Sequence, residues 1–456
     1  MRTKQSIILA SVMSVGLWLA SCNSQLDIKP VNSVATGQAL STASDLSALL
    51  VGAYDGLSSI NLYGGSLIRD GELLATVPST GDVNWTGTYV APQQIYTKNI
   101  LVNNGQADLT WTDAYRTINI CNTVLANLNL AATADQPRIE GEAKFIRGSL
   151  YFELVRFYAR DWSDGDPNAN PGVPIVTTPT VNLDANSNVA RSTVAAVYAQ
   201  ALKDLTDAEA KLPATNSFFA TKGAAGAQLS RVYLQKADYP NAANAANRVI
   251  TSKTYQLVDI EQVFDTREFQ NGINTDETIF AVQITDQDGT NDVNTFYGSS
   301  SEGGRGDIDI NESFLQQFEA TDGRANLFYD DDGSIRTAKF INQYGNIQVL
   351  RLAEMYLTRA EANFRAGTAV GDTPLNDINV IRNRAGATPL STAQLTLANI
   401  LRERRLELAF EGTYIHDIKR TKGSVGTLPY NSPKLIFPIP LREITTNPAL
   451  LQNAGY

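Results

Sequence analysis

Few residues of this chain have the chemistry that catalysis or metal binding usually needs. The sequence contains one His, His416, and two Cys, Cys22 and Cys121. A zinc site of ordinary composition takes most of its ligands from Cys and His, and these residues are too few to build one. No local signature supports a Ser-His-Asp triad around His416, and no glycine-rich phosphate loop occurs. We therefore predict that His416 is a structural residue whose ring nitrogens are hydrogen bonded.

Carboxylates are the remaining candidates for chemistry. The 47 acidic residues allow many pairs of the kind that glycosidases use, and the sequence does not fix the separation within a pair. A glycoside hydrolase therefore stays open as an alternative function. The segments DGDPNAN and DQDGTND resemble calcium-binding loops but lack the Gly and the final Glu at the EF-hand positions. We expect no cofactor and leave a structural calcium ion open.

The two cysteines have different predicted roles. Arg2 and Lys4 precede an apolar run that ends at Leu19-Ala20-Ser21-Cys22, the pattern of a bacterial lipoprotein signal. We predict that residues 1–21 are a signal peptide and that Cys22 is lipidated, which would anchor the protein to a membrane. An ordinary signal peptide cleaved near a chance Cys is the alternative. Cys121, in TINICNTVLANL, is then the remaining thiol, and we predict that it is a small buried hydrophobe.

The charge of the chain excludes some partners. Removing Arg2 and Lys4 leaves 35 basic and 47 acidic residues and a formal charge of −12. An acidic surface argues against binding to nucleic acid and against polybasic docking to anionic lipid. The mature chain is therefore predicted to be a soluble body tethered by its N-terminus.

Amphipathic helices of 15 to 25 residues are the commonest pattern along the chain. Two stretches, beginning at Gly226 and Leu350, share an outline: a helix, a short turn, a Pro in the first turn of a second helix (Pro240 and Pro374), and small or branched apolar residues at helical steps. This is the outline of a tetratricopeptide-like hairpin. Two unrelated helical hairpins are the alternative, and either one predicts a mainly α scaffold with a few short β-strands.

Two regions rich in Gly, Asn, Asp and Ser interrupt the helices. They span residues 61–92 and 285–313, the second following a strand-like ETIFAVQIT. We predict long irregular loops in both regions. Such loops on a helical scaffold are where binding residues usually lie.

Motifs over nearly the whole mature chain carry a family resemblance. LRLAEMYLTRAEA, LNDINVIRNRAG, ILRERRLELAFEGTYIHDIKR and PIPLREITTNPALLQNAGY resemble successive motifs of the SusD/RagB family of nutrient-binding outer-membrane lipoproteins. SCNSQLDIKP, EAKFIRGSLYFELVRFYARDW and TDGR fit the same pattern. The resemblance implies a single α-rich SusD-like domain over residues 22–456, with an N-terminal part to about 270 and a C-terminal part from about 271.

The resemblance also implies a function without chemistry. Family members bind oligosaccharides or other nutrients at the cell surface and pass them to a partner SusC-like TonB-dependent transporter. We therefore expect a lipid-anchored protein of the outer membrane that takes part in polysaccharide utilisation and is not an enzyme. The alternatives are the surface glycoside hydrolase and a helical-repeat scaffold that binds protein partners but no small ligand.

A binding site of the family type suggests particular residues. Sugar rings pack C–H patches on aromatic faces, and their hydroxyls need polar side chains at the rim. Family members often use an aromatic arc with parts from both irregular regions. The positions that fit best are Asn84, Trp85, Tyr89, Asn294, Phe296 and Tyr297. We interpret the Arg-Gly-Asp tripeptide at 305–307 as a coincidence.

One motif departs from the family pattern. FEGTYIHDIKR has Thr413, Tyr414 and Ile415 where an Arg usually follows the Gly, which puts the local ion pairing in doubt. We predict that the charged residues around this motif form a structural lattice of salt bridges at a helix end. These residues are Glu403, Arg404, Arg405, Glu407, Glu411, Asp417 and Arg420.

Overall fold

The computed structural model describes residues 40–182, 187–264, 274–287 and 289–456. The predicted signal peptide and Cys22 lie outside these ranges and stay predictions. The helices in these ranges are α1 (Ala43–Leu57), α2 (Ser66–Ala75), α3 (Val90–Tyr96), α4 (Gly105–Ala126), α5 (Gln136–Tyr158), α6 (Val194–Lys211), α7 (Lys222–Gln235), α8 (Tyr239–Thr251), α9 (Asp292–Tyr297), α10 (Glu312–Leu315), α11 (Leu352–Ala366), α12 (Pro374–Arg384), α13 (Leu397–Glu407), α14 (Tyr414–Arg420) and α15 (Leu441–Thr446). The strands are β1 (Val83–Trp85), β2 (Thr278–Val282), β3 (Ile308–Ile310), β4 (Phe328–Asp331), β5 (Ser334–Thr337), β6 (Ile347–Arg351), β7 (Ser424–Val425) and β8 (Leu428–Pro429). None of the described helices is long and apolar enough to span a bilayer.

The predicted helical hairpins are confirmed as α7–α8 and α11–α12. Pro240 and Pro374 stand in the first turn of α8 and α12. Backbone N–H groups in a first turn have no acceptor within the helix, so the N–H that Pro lacks costs no hydrogen bond. The two hairpins stack because α8 packs against both α7 and α11. Its four alanines at 242, 243, 245 and 246 are fully buried, so the helix axes can approach closely. The mainly α fold class is therefore confirmed.

Helix α5 lies at the centre of the N-terminal half. Its residues from Ile139 to Tyr158 are almost all buried. This agrees with its sequence, which places apolar residues on more than one face of the helix. Helix α6 packs along it, and a Cβ at Gly148 would come within 3.0 Å of Asp204 and Leu205. Arg147 of α5 pairs with the buried Asp204 at 2.7 Å. The Thr193 side chain caps α6 by accepting from Ala196 N.

The two regions predicted as irregular loops contain regular structure, so that part of the prediction is wrong. Residues 66–75 form α2, which is buried along its whole length, and residues 292–297 form α9. Strand β1 of the first region pairs antiparallel with β3 of the second, and both belong to a sheet of order β1-β3-β5-β4. From this pairing and the packing of α8 on α11, we propose that the N- and C-terminal parts fold as one domain.

A buried ionic network joins the C-terminal motifs to the rest of the fold. All seven charged residues that the sequence predicts as a salt-bridge lattice form ion pairs, which confirms that prediction. The network is buried, however, and the prediction did not include its partners outside the motif. Those partners are Glu72, Asp82, Glu277, Arg324, Lys339, Arg351, Glu354, Glu361, Arg382 and Arg384.

His416 is structural, but it is not hydrogen bonded as predicted. Its side chain is buried on α14, and neither ring nitrogen has a hydrogen-bond partner among the described residues. The ring packs edge-on against Phe157 with centroids 5.0 Å apart. Burial, together with the nearby Arg156, holds the pKa of His416 well below its usual value. The residue therefore behaves as an uncharged aromatic group of the core.

Cys121 is fully buried in α4, and the prediction of a small buried hydrophobe is confirmed. Burial raises the pKa of its thiol to about 12. Because the thiolate is the reactive form, we expect native protein lacking Cys22 to react with a thiol reagent only as fast as it unfolds. Absorbance of the released thiolate, with and without denaturant, measures this rate. Rapid modification of native protein would contradict the assignment.

Candidate functional site

Strands β1 and β3 bring together two segments that lie more than 200 residues apart in the chain. Asn84 stands opposite Asp309, and Trp85 stands opposite Ile308. The pairing continues past the strand, because Thr86 N donates to Asp307 O at 2.8 Å. Residues following β1 and preceding β3 therefore lie side by side at one edge of the sheet.

Three of the predicted site residues meet at this edge and form an aromatic platform of Trp85, Tyr89 and Phe296. The ring centroids of Trp85 and Phe296 lie 5.7 Å apart, and those of Tyr89 and Phe296 lie 6.3 Å apart. Trp85 and Phe296 are buried, whereas Tyr89 is 48% exposed. Tyr89 is thus the ring of the platform that solvent reaches most.

Arg305 completes the exposed side of the platform. Its guanidinium lies over the Tyr89 ring at 4.2 Å, and Nη1 donates to the Tyr89 hydroxyl at 3.1 Å. Nε pairs with Asp307 at 3.0 Å. The sequence signal for this residue was the Arg-Gly-Asp tripeptide that we interpreted as a coincidence. Arg305 reaches Tyr89 because β3 pairs with β1, a contact between segments that are distant in sequence.

Charged side chains of α2 and α9 lie next to the platform. The Arg69 guanidinium lies over the Phe296 ring at 4.5 Å, and its Nε pairs with Asp70 at 2.7 Å. Its Nη1 lies 3.9 Å from Asp292. Burial raises the pKa of Asp292 to about 6, although Arg69 opposes the shift. Burial also raises the pKa of Asp70.

Asn84 lies beside the platform and holds its supporting segment in place. Its amide donates to Asn311 Oδ1, and its own Oδ1 accepts from the Tyr96 hydroxyl at 3.2 Å. That hydroxyl also accepts from Ser79 N at 2.9 Å. Asn84 therefore connects α3 to the strand pair. Its side chain is half-buried.

The structure places Asn294 and Tyr297 in the core, away from the exposed ring of Tyr89. The Asn294 amide donates to the carbonyls of Phe340 and Ile341 at 2.9 and 3.1 Å. Tyr297 packs between Phe340 and Phe410, with centroids 5.6 and 5.9 Å away. Both are fully buried, because α9 turns one face inward while Phe296 faces the platform. A ligand at the surface would not contact them in this conformation.

A polar cleft of about 470 Å³ opens beside α9. The C-terminal end of α1 and the middle of α4 line it, together with Asn291, the N-cap of α9. On its wall Asp113 accepts from Ser59 Oγ at 2.5 Å and from the Asn61 amide at 2.9 Å, and Arg116 is exposed. No sequence motif marks this cleft, because the residues that line it come from separate helices and loops.

The described residues do not bring three or more His, Cys, Asp or Glu side chains together in a way that could hold a metal ion. In the first calcium-like segment, Asp164 is paired with Arg160 at 2.6 Å. In the second, Asp288 lies outside the described residues, and Asp292 faces Arg69.

Two family models match the chain, and the first of them includes Asn84, Trp85 and Tyr89 of this site. One, described as starch-binding and associating with the outer membrane, covers residues 25–234. The other, described as the SusD family, covers residues 329–434. The chain belongs to the SusD/RagB family.

Several relatives and solved structures are similar to this chain, and three of the four named here cover 90% of it or more. SusD-like protein P2 of Formosa agariphila is 25% identical over 96% of this chain and 98% of its own. The starch-binding protein SusD of Bacteroides thetaiotaomicron is 34% identical over 24% of this chain and 22% of its own. A SusD superfamily structure from B. thetaiotaomicron superposes with a TM-score of 0.79 at 27% identity over 90% of this chain and 99% of its own. A putative sugar-binding protein of Bacteroides vulgatus has a TM-score of 0.81 at 26% identity over 92% and 99%.

The departure from the SusD/RagB motif at residues 413–415 has a visible local consequence. The ring of Tyr414 lies under the Arg405 guanidinium at 3.9 Å. Arg405 also pairs with Glu72 and Asp82 at 2.8 Å each. A cation–π contact thus occupies a place where the family pattern has an Arg, and the surrounding ion pairs are formed.

Proposed function

We propose that the protein captures an oligosaccharide at the cell surface and passes it to a SusC-like TonB-dependent transporter of the outer membrane, without breaking a bond itself. The half-exposed Tyr89 ring beside Arg305 is the observation that carries the binding step. A matching family model and one relative are described as starch-binding, and a similar structure is that of a putative sugar-binding protein, which supports a glycan as the ligand class. Anchoring through Cys22 and delivery to a transporter are inferred from the lipoprotein signal and the family resemblance.

The platform offers the two kinds of contact that a sugar needs. The Tyr89 ring can pack against the C–H face of a pyranose, while the Arg305 guanidinium beside it can donate to hydroxyls. Phe296 packs edge-on against Tyr89, and Trp85 in turn packs against Phe296. We therefore propose direct contact for Tyr89 and Arg305, and a supporting role for Asn84, Trp85, Asn294, Phe296 and Tyr297.

A glycoside hydrolase is the alternative function, and the carboxylates around the platform do not favour it. Asp307 is 6% exposed and pairs with Arg305 at 3.0 Å. Asp70 is 1% exposed, and its Oδ1 is bound to Arg69 Nε. A general acid must reach the glycosidic oxygen, which a carboxyl in this position cannot do. Asp292 is more open but faces the same Arg69. Asp70 and Asp292 therefore position Arg69, which packs on Phe296 of the platform.

Calorimetry of residues 23–456 against a panel of polysaccharides and their oligosaccharides tests the proposal, with chromatography of each mixture afterwards. We expect saturable binding with the sugars recovered intact. Shortened products would replace capture with hydrolysis. Absence of binding across the panel would favour the protein-binding scaffold or a nutrient that is not a glycan.

Replacing Tyr89 with Ala is expected to weaken oligosaccharide binding about two- to tenfold, since a ring contact contributes about 0.5–1.5 kcal/mol. Phe218→Ala is the matched control, because Phe218 is 52% exposed and packs on Phe219 away from the platform. Calorimetry with the best ligand of the panel measures both variants. Equal weakening in the two would contradict the assignment. Trp85→Ala is less informative, because removal of a buried Trp also lowers the free energy of unfolding by about 3–5 kcal/mol.

A further inference from the structure

A second pocket, the tail pocket, lies between the end of α5 and the C-terminal residues of the chain. Its volume is about 330 Å³, within the usual range for a small-molecule site. Pro171, Tyr430, Pro433, Ile436 and Leu451 form an apolar lining. Leu451 lies at its rim and is 72% exposed. The tail pocket shares no lining residue with the polar cleft beside α9.

The charged residues that line the tail pocket do not balance. They are Arg160, Asp161, Asp164, Arg191 and Lys419. Arg160 and Asp164 pair at 2.6 Å, which leaves the single carboxylate of Asp161 with two cations. Asp161 is itself engaged, because it accepts from the Gln235 amide at 2.7 Å. Within the described part of the chain, neither Arg191 nor Lys419 forms an ion pair.

The side chains of both cations donate hydrogen bonds to neutral carbonyl groups. The Arg191 guanidinium donates to the carbonyls of Gly172, Pro171 and Leu451 at 2.7, 2.9 and 3.0 Å. Lys419 is 2% exposed and makes one long hydrogen bond, to Arg156 O at 3.3 Å. Burial lowers the pKa of Arg191 to about 10 and that of Lys419 to about 8. Lys419 is subject to the opposing charge of Asp161 but also to the like charge of Arg156. A buried cation whose charge is incompletely compensated is unfavourable, and an anion in the pocket would reduce that penalty.

We propose that the tail pocket binds a carboxylate carried on an apolar body, with the carboxylate directed to Arg191 and Lys419 and the apolar body packed against Tyr430, Pro433 and Leu451. The cations of an otherwise acidic protein supply the specificity, and the apolar lining supplies the contact area. A free organic acid and the C-terminus of a peptide share this chemistry. The inference does not depend on glycan capture at the platform.

Calorimetry of residues 23–456 with 4-phenylbutyrate and with the matched amide, 4-phenylbutanamide, tests the proposal. We expect the acid to bind at least about tenfold more tightly than the amide, since a hydrogen bond to a charged group contributes about 1.5–3 kcal/mol. A peptide ending in Leu-Phe, with a free or an amidated C-terminus, shows which source of carboxylate fits better. Binding by either acid supports the proposal, and equal binding of acid and amide, or binding by none of the four probes, overturns it.

Variants at exposed positions separate the pocket from general binding to the surface. Leu451→Asp puts a negative charge at the rim and is expected to abolish binding of the acid without unfolding the protein. Leu441→Asp is the matched control, since Leu441 is 43% exposed and lies outside the pocket. In Lys419→Met we expect the preference for acid over amide to fall while some binding remains. Equal loss in both Leu variants would place the ligand elsewhere and overturn the proposal.

Discussion

Replacing Arg351 with Ala is expected to lower the free energy of unfolding by about 3–5 kcal/mol, the usual effect of removing one partner from a buried ion pair. Arg351 is 2% exposed at the end of β6. Its guanidinium pairs with Glu407 at 2.6 Å, with Glu411 at 2.8 Å and with Glu277 at 3.0 Å. The Ala variant keeps these three carboxylates buried and removes a charge that all of them share. Urea unfolding followed by far-UV circular dichroism measures the loss.

Arg442→Ala is the control for this prediction. Arg442 is also paired with acidic residues, Glu443 at 2.7 Å and Asp108 at 3.7 Å, but its side chain is 54% exposed. Ion pairs in water contribute little, so we expect a change of at most about 0.5 kcal/mol. A similar change in both variants would mean that burial does not set the strength of the network. The structural role assigned to Arg351 would then be wrong.

The network also connects the C-terminal motifs to the platform. Arg405 of α13 reaches Glu72 of α2 and Asp82, the residue before β1. Gly412 N donates to the same Glu72 at 3.1 Å. The chain approaches α2 so closely here that a Cβ at Gly71 would lie 2.3 Å from Gly412 O, and Gly412 itself has a φ of +78°. The motif that identifies the family therefore fixes the start of the strand that carries Trp85.

The helical scaffold was predictable because its signals are local. Pro240 and Pro374 mark helix starts, and the alanines of α8 repeat at helical spacing. Helix α2 was missed although Leu67, Ile68, Leu73 and Leu74 also follow a helical period. The glycines and the Asp around it resemble a loop, and what makes it a helix is its complete burial by elements distant in sequence. That tertiary contribution overrides the local composition.

The site was predictable in part. Trp85, Tyr89 and Phe296 meet, because large aromatic residues in two adjoining segments favour a shared cluster. Asn294 and Tyr297 lie two and one residues from Phe296, and in a helix such neighbours face different directions. The sequence alone did not reveal α9, so the three residues could not be assigned to an inner and an outer face. Whether the platform binds a glycan stays a prediction.

Acid is expected to unfold the protein through the same buried network. Burial raises the pKa of Glu354, but Arg231 and Arg404 outweigh it and bring the value to about 2. Burial likewise raises the pKa of Glu361, and Arg420 and Arg365 bring it to about 2. Both values lie below the ordinary pKa of 4.5. At a pH between the folded and the ordinary pKa, the unfolded chain therefore binds more protons than the folded protein.

The stabilisation is therefore complete above about pH 4.5 and is lost as the pH falls towards 2, by about 3 kcal/mol for each of the two carboxyls. Urea unfolding at intervals between about pH 6 and pH 3 measures the slope. In Glu361→Gln we expect a lower stability at about pH 6 and a shallower decline in acid, because one titrating group and one partner of Arg420 are gone. Glu312→Gln, at an exposed position, should follow the unmodified protein within about 0.5 kcal/mol. A stability that stays constant down to about pH 3, or the same slope in Glu361→Gln, would show that these carboxyls are not held ionised by their Arg partners.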